Sequence, residues 1–428
     1  MQVPLLSALS WRPSGAFRMV RQKRPEPESA VCSTRRRFVT GALGAALSAP
    51  AILANRAKAF AQTAQGGRNA RDMGPQLALV PAGFWSLTGE VMAFRFSPDG
   101  SRVAIRHADR LAVYEFPSGK AILGIPRPSA VSLPSFGFGD DGRSLIVSPR
   151  QIGSDRVFPT ELVQVFDAAS GRLLDRLAFP MMEGGAGFFA DRVATSSDSR
   201  FAAIRVGQPL KQSAIVLLDT KDLSVRGVMY ESAPGLGYQR MLDVSRDGLV
   251  AVAENGAPLM RANLPPNIAI VDPARNTRIA EFPGTSEGTA SLRWSPDGSL
   301  LGIGSMPLHQ HSTMHLQNPA PQPASAVQEA VWIWELRERR TKISFPLVYS
   351  PVMASAISPD NRWFATRRAK YSRVLGSGVS VWRVSDGAEM FAYETPDARL
   401  ISDVAFSPSG ANFAFVDGQA FKMFRVIS

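Results

Sequence analysis

Three of the four histidines in this sequence stand close together, at His309, His311 and His315, with Met314 beside the last of them. Imidazole combined with thioether suits copper, and imidazole alone suits zinc, copper or nickel. In a flexible loop these four side chains could converge on one ion, and they are the candidate metal ligands. No carboxylate lies between Met306 and His315. Downstream, Asn318-Pro319-Ala320-Pro321-Gln322-Pro323 has the composition of a polyproline or disordered segment. The competing reading, a polar loop with incidental histidines, is the stronger. Copper or zinc therefore enters as an option, and no cofactor is predicted. The fourth histidine, His107, closes a short apolar run and reads as a packed or rim residue rather than a base.

The other chemistry-bearing candidates are basic. Arg156, Arg261, Arg367, Arg368, Lys370 and Arg373 lie in expanded, irregular segments with few acids around them. Such a group would favour an acidic protein, an anionic polysaccharide or a small carboxylate; the plainer alternative is a solvated charged rim. No catalytic residue can be named. There is no Gly-x-Ser-x-Gly elbow and no glycine-rich phosphate loop between a strand and a helix. Asp140-Asp141 reads as turn chemistry, and Gly184-Gly185-Ala186-Gly187 as a flexible connection. The single cysteine, Cys32, leaves residues 62–428 without a thiolate nucleophile, a thiolate metal ligand or a disulfide.

The elements that must carry these residues repeat along the chain. A short apolar strand runs into Ser97-Pro98-Asp99-Gly100, a second strand and a loop follow, and third and fourth strands complete the unit. The turn recurs at Gly139-Asp140-Asp141-Gly142, Ser196-Ser197-Asp198-Ser199, Ser245-Arg246-Asp247-Gly248, Ser295-Pro296-Asp297-Gly298, Ser358-Pro359-Asp360-Asn361 and Ser407-Pro408-Ser409-Gly410, at intervals of 42 to 63 residues. Proline presets φ, aspartate bonds its own backbone, and glycine or asparagine tolerates positive φ. Seven such units predict an all-β, seven-bladed β-propeller with four-stranded blades over residues 76–428. The seventh copy stops after its third strand. Leu77-Ala78-Leu79-Val80-Pro81 ends like the fourth strands elsewhere, as in Ala280-Glu281-Phe282-Pro283, so residues 76–81 are expected to close the last blade. The expanded segments, 149–160, 206–213, 254–267, 306–328 and 367–378, all join second to third strands and would share one face of the ring, the usual binding face of a repeat protein.

These repeats resemble WD40-like propellers, in particular the Ser-Pro-Asp-Gly repeats of TolB-type proteins. The resemblance covers roughly residues 76–428. It implies the propeller fold. No blade carries the Gly-His dipeptide of standard WD40 repeats, so that family's buried Asp-His-Ser/Thr-Trp network is not carried over. No α/β domain precedes the repeats as in TolB, so TolB's partners are not carried over either.

The amino-terminal region reads as an address. Thr34-Arg35-Arg36-Arg37-Phe38-Val39 resembles the twin-arginine export motif, with Arg35, Arg36 and Phe38 in the defining positions. A weakly apolar run, Val39 to Ala54, follows, with small-x-small sites ending at Ala59 and Ala61. Residues 1–61 are expected to be a twin-arginine (Tat) signal peptide, cleaved after Ala61 or Ala59, with Met1 or Met19 as the start and 62–75 as a flexible mature terminus. The apolar run is shorter than the ~20 residues a spanning helix needs, so no stable membrane span is expected after cleavage. The formal net charge is +12; residues 1–61 hold ten Lys or Arg and two Glu, so +8 of it sits there and +4 remains for the rest. That distribution and the lack of a recognised motif speak against nucleic-acid binding.

The expectation is a periplasmic or secreted, non-catalytic propeller that meets the Tat translocase during export and then binds a protein partner or an anionic ligand on its basic loop face. A second class stays open: an accessory or catalytic subunit of a periplasmic oxidoreductase, resembling quinoprotein-dehydrogenase propellers, or a copper- or zinc-binding protein.

Overall fold

The computed structural model describes residues 20–21, 76–126, 131–151, 161–178, 189–207, 213–230, 241–254, 267–283, 289–305, 329–346, 352–368, 377–395 and 400–427. The repeats fold as seven antiparallel blades. From the innermost strand outward, blade 1 is β3 (Val91–Phe96), β4 (Arg102–His107), β5 (Arg110–Glu115) and β6 (Ala121–Pro126). Blade 2 is β7 (Val131–Phe138), β8 (Ser144–Gln151), β9 (Glu161–Asp167) and β10 (Leu173–Ala178). Blade 3 is β11 (Phe189–Thr195), β12 (Phe201–Gly207), β13 (Ser213–Asp219) and β14 (Val225–Tyr230). Blade 4 is β15 (Leu242–Val244), β16 (Val250–Glu254), β17 (Asn267–Asp272) and β18 (Thr277–Pro283). Blade 5 is β19 (Thr289–Trp294), β20 (Leu300–Ser305), β21 (Glu329–Glu335) and β22 (Arg340–Pro346). Blade 6 is β23 (Val352–Ile357), β24 (Trp363–Arg368), β25 (Gly378–Arg383) and β26 (Glu389–Glu394). Blade 7 is β27 (Ile401–Phe406), β28 (Asn412–Asp417), β29 (Ala420–Ile427) and, on its outside, β2 (Ala78–Ser86). Each innermost strand touches that of the next blade, and β27 touches β3, so the ring is closed.

The turn chemistry explains why the first hairpin repeats. The Ser97 hydroxyl donates to Asp99 Oδ1 (2.5 Å) and accepts from the Arg102 N–H (2.9 Å), while Asp99 Oδ1 accepts from the Ser101 N–H (3.0 Å). Gly100 completes the turn at φ +70°. Ser295 with Asp297 and Ser358 with Asp360 reproduce these bonds. In blade 2, Asp141 takes the role by accepting from the Arg143 and Ser144 N–H groups, so the Asp140-Asp141 pair is structural, as expected. Side chains alternate across each strand, and every blade packs its two faces against its neighbours. The core is accordingly seven apolar clusters, one at each blade-to-blade seam, such as Phe94, Val103, Ile105, Val416 and Phe421 between blades 1 and 7.

Blade 7 is completed as the sequence predicts, but its outer strand runs further. β2 pairs with β29 from Ala78 opposite Ile427 to Ser86 opposite Ala420. A bulge between Pro81 and Gly83 absorbs the proline, which cannot donate to the ladder, and lets pairing resume beyond it. Gly83 sits there at φ +148° with Met423 Cε only 3.2 Å from where a Cβ would stand, so the bulge needs glycine. The extension carries Trp85 into the seam with blade 1. One further strand, β1 (Val20–Arg21), adds to the outer edge of blade 2, with Val20 opposite Ala178 and Arg21 opposite Leu177; it falls within the segment that the sequence assigns to the export signal. Among the described residues no helix is long and apolar enough to cross a membrane.

Candidate functional site

The innermost strands line a central channel, and charge has been placed in them where the neighbouring positions are apolar or small. Arg95 stands between Phe94 and Phe96, Asp243 between Leu242 and Val244, Arg293 between Leu292 and Trp294, and Asp403 beside Val404. Arg95 Nη1 donates to Asp403 Oδ2 at 2.7 Å, and the Phe94 N–H donates to the same oxygen at 3.3 Å. Three blades away, Arg293 Nη1 faces Asp243 Oδ1 at 3.4 Å, and the Trp294 N–H donates to Asp243 Oδ2 at 2.7 Å. One ion pair therefore ties blade 7 to blade 1 and the other ties blade 4 to blade 5. Side-chain exposure is 6% for Asp403 and 5% for Asp243, against 33% for Arg95 and 28% for Arg293: the carboxylates are sunk in the wall and the guanidiniums reach into the lumen. The two pairs sense each other across the channel. Burial pushes Arg95 below its ordinary value, Asp403 opposes this, and Arg293 adds to it. Burial raises Asp243, with Arg293, the Trp294 N–H and Arg95 pulling the other way.

On one side of this waist is a cavity of about 230 Å³ whose lining includes Arg106, Arg367, Ser135 and Ser402 as well as both ion pairs. On the turn side a second cavity, of about 360 Å³, shares Arg95, Asp243 and Arg293. Ser291 and Ser355 hydroxyls meet at 2.7 Å between blades 5 and 6, and Arg293 Nε reaches the Ser355 carbonyl at 3.4 Å. The lining of the mouth-side cavity is thus polar and net positive, with guanidiniums more accessible than the carboxylates they pair with.

Of the predicted site residues, Arg367 is placed in detail. It belongs to β24 rather than to the loop that follows, because the strand continues to Arg368, and its Nη1 donates to the Ser402 carbonyl at 3.2 Å. It reaches the channel mouth rather than the rim. Arg106, Arg205 and Arg367 stand equally far from the first turn residue of their blades (Ser97, Ser196 and Ser358), so the propeller repeats one arginine position in blades 1, 3 and 6. Arg156, Arg261, Lys370 and Arg373, and the metal candidates His309, His311, Met314 and His315, lie outside the described residues, as do Arg35, Arg36, Phe38, Ala59 and Ala61. Arg368 lies in β24, with its side chain outside the description. Among the described residues no group of three or more His, Cys, Asp or Glu side chains is arranged to hold a metal.

Arg95, Asp243, Arg293 and Asp403 were not singled out in the sequence. The signal they carry is an ionised residue inside the first strand of a repeat, but β11 carries Asp191 and Arg192 in the same way, so that signal alone does not single them out.

His107 is packed, as expected. It is fully buried, with Nε2 3.4 Å from Tyr114 Oη. Burial lowers its pKa, Arg110 adds to this, and Asp109 and the Thr88 carbonyl oppose. The folded chain therefore takes up the proton at lower pH than the unfolded chain, whose imidazole titrates near 6.5. Stability from this residue is full above that pH and declines as pH falls through it toward the folded value. The urea midpoint is expected to fall between pH 7 and pH 5, and His107→Gln is expected to flatten that decline; an identical decline in the variant would remove His107 as its source.

No protein-family model and no curated protein matches the chain. Among solved structures, a chain described as "Crystal Structure of Mitotic Checkpoint Complex" superimposes on 91% of this chain and 100% of its own length, with a TM-score of 0.58 and 15% identity. At that identity the likeness shows the shared seven-bladed fold.

Proposed function

We propose that the protein is an exported, non-catalytic propeller that binds an acidic protein partner on the face where second strands pass to third strands. In antiparallel blades every second strand ends at one end of the ring, which supports reading the five expanded connections as sharing that face. The observation that carries the reading is the arginine position repeated in blades 1, 3 and 6 at the same end, with Arg367 and Arg106 at the channel mouth. A closed ring is a rigid platform that holds variable loops in fixed relation, the usual division of labour between scaffold and binding loops. The superimposed chain belongs to a protein complex, which is consistent with a propeller in a docking role.

In this reading the chain is a divergent WD40-like, TolB-type propeller. One link of the WD40 network has a counterpart in blade 6, where Trp382 Nε1 donates to Thr366 Oγ1 at 3.1 Å. Residues 1–61 direct export through the Tat translocase, and the mature protein works in the periplasm.

Charge is the test. Affinity purification of the tagged protein from its own envelope at low salt is expected to recover a stoichiometric acidic partner. Arg156→Glu combined with Arg261→Glu and Arg373→Glu is expected to reduce recovery tenfold or more, and added salt to do the same, because rim charges are screened within a Debye length of about 8–10 Å. Capture indifferent to both changes would overturn the electrostatic face.

A further inference from the structure

We propose that the waist of the central channel binds a small dicarboxylate, a two-ended dianion held by Arg95 from blade 1 and Arg293 from blade 5. The inference concerns the interior of the ring and does not depend on what the loop face binds.

Donors and acceptors at the waist are unequally used. Asp403 Oδ2 accepts from Arg95 and from the Phe94 N–H, and its Oδ1 accepts from the Val404 N–H at 2.9 Å. Asp243 is engaged at both oxygens by Arg293 and the Trp294 N–H. The carboxylates are therefore committed to wall and partner. A guanidinium has five N–H donors. Arg95 uses Nη1 alone, for Asp403 and the Phe94 carbonyl, and Arg293 uses Nε and Nη1. Nε and Nη2 of Arg95 and Nη2 of Arg293 have no partner among the described residues, and both side chains are partly exposed to the lumen. An entering cation would meet carboxylates that are sunk in the wall and already paired with arginine; an entering anion meets open donors.

Charge, shape and size agree. The cavity on the mouth side is lined by four arginines, Arg95, Arg106, Arg293 and Arg367, against two aspartates. Burial lowers the Arg95 pKa, with Asp403 opposing and Arg293 adding to it, so a second anion beside the two guanidiniums would be met by two cations that already repel each other. Blades 1 and 5 are three blades apart in a seven-membered ring and both arginines line one cavity, so two separate anchors suit an anion with a charge at each end over one with its charge at a single centre. A volume of about 230 Å³ is below the about 300–1,000 Å³ of sites for drug-sized ligands, which limits the occupant to a small metabolite. Ser402, at the same mouth, contributes a buried hydroxyl oxygen without a hydrogen-bond partner among the described residues.

The test is calorimetric titration of the full chain at low ionic strength with succinate, inorganic phosphate and the neutral succinamide. Saturable one-to-one binding of succinate is expected, at least tenfold tighter than phosphate, with succinamide silent. Arg95→Lys and Arg293→Lys keep the charge that pairs with Asp403 and Asp243 but remove the spare guanidinium fork; each is expected to weaken succinate tenfold or more at an unchanged urea midpoint. Should either fail to fold, Arg106→Gln with Arg367→Gln, at the mouth, is expected to weaken succinate several-fold. No succinate binding, phosphate binding as tight as succinate, or affinity untouched in the variants that fold would each overturn the proposal.

Discussion

Replacing Trp85 with alanine is expected to lower the free energy of unfolding by about 3–5 kcal/mol, the range for deleting a large buried aromatic side chain. The indole is 8% exposed and stacks on Phe421, with ring centroids 4.4 Å apart and planes 11° apart. Tyr114 stacks beyond it at 6.0 Å. Its Nε1 donates to the Pro117 carbonyl of blade 1 at 3.0 Å. Gly119 exists to admit it: a Cβ there would come within 2.5 Å of the indole, and the residue sits at φ +73°. Trp85 is carried by the strand that completes blade 7 and packs against blade 1, so the cavity would open at the ring's one non-sequential joint. Trp85→Phe keeps the stack and loses the hydrogen bond, and is expected to cost about 1–2 kcal/mol. Urea unfolding of both variants is the measurement. A change below about 1 kcal/mol for Trp85→Ala would mean that the joint is not held by this side chain.

Asp403→Ala is expected to cost about 2–4 kcal/mol. Breaking a fully buried ion pair from one side costs about 3–5 kcal/mol, because the other charge is left without compensation; here Arg95 is 33% exposed and water moderates the loss. The Phe94 N–H, which donates to the same carboxylate, adds an unsatisfied backbone group. The double variant Arg95→Met, Asp403→Leu removes both charges together and is expected to recover the charge part of the loss, while the Phe94 N–H stays without its acceptor and keeps the double variant about 1–2 kcal/mol below the original protein. If the double variant were as unstable as Asp403→Ala, the pair would be holding the ring by more than charge compensation.

The fold was legible because turn chemistry is local. Ser97, Asp99 and Gly100 satisfy one another within a few residues, so the motif marks each hairpin whatever surrounds it, and seven copies announce seven blades. The closure was legible too, through the resemblance of Leu77–Pro81 to fourth strands elsewhere. Its extent was not, because the bulge at Pro81 and Gly83 exists only in register with β29. The channel was the least legible. Arg95 and Asp403 are distant in sequence, as are Arg95 and Arg293, and nothing local distinguishes a charge that faces a lumen from one that faces solvent. Arg367 shows the same limit: its residue type and end of the ring were readable, but its turn toward the Ser402 carbonyl depends on the neighbouring blade.

The pairing of β2 with β29 has a temporal consequence. Apart from the two-residue β1 at the edge of blade 2, blades 1 to 6 are each assembled from strands close in sequence and can form as they emerge during synthesis, but blade 7 needs a strand made early and three made late. Until β29 is available, β2 has no partner and the seam around Trp85 has no far wall. Joining segments so distant in sequence carries the loop-closure cost that slows folding of non-local topologies. The molecule therefore spends its synthesis as an open arc with two unpaired blade faces, the state most exposed to proteases and to mispairing; the Arg293–Asp243 pair can form within that arc, and the Arg95–Asp403 pair arrives only with the late step that closes the channel.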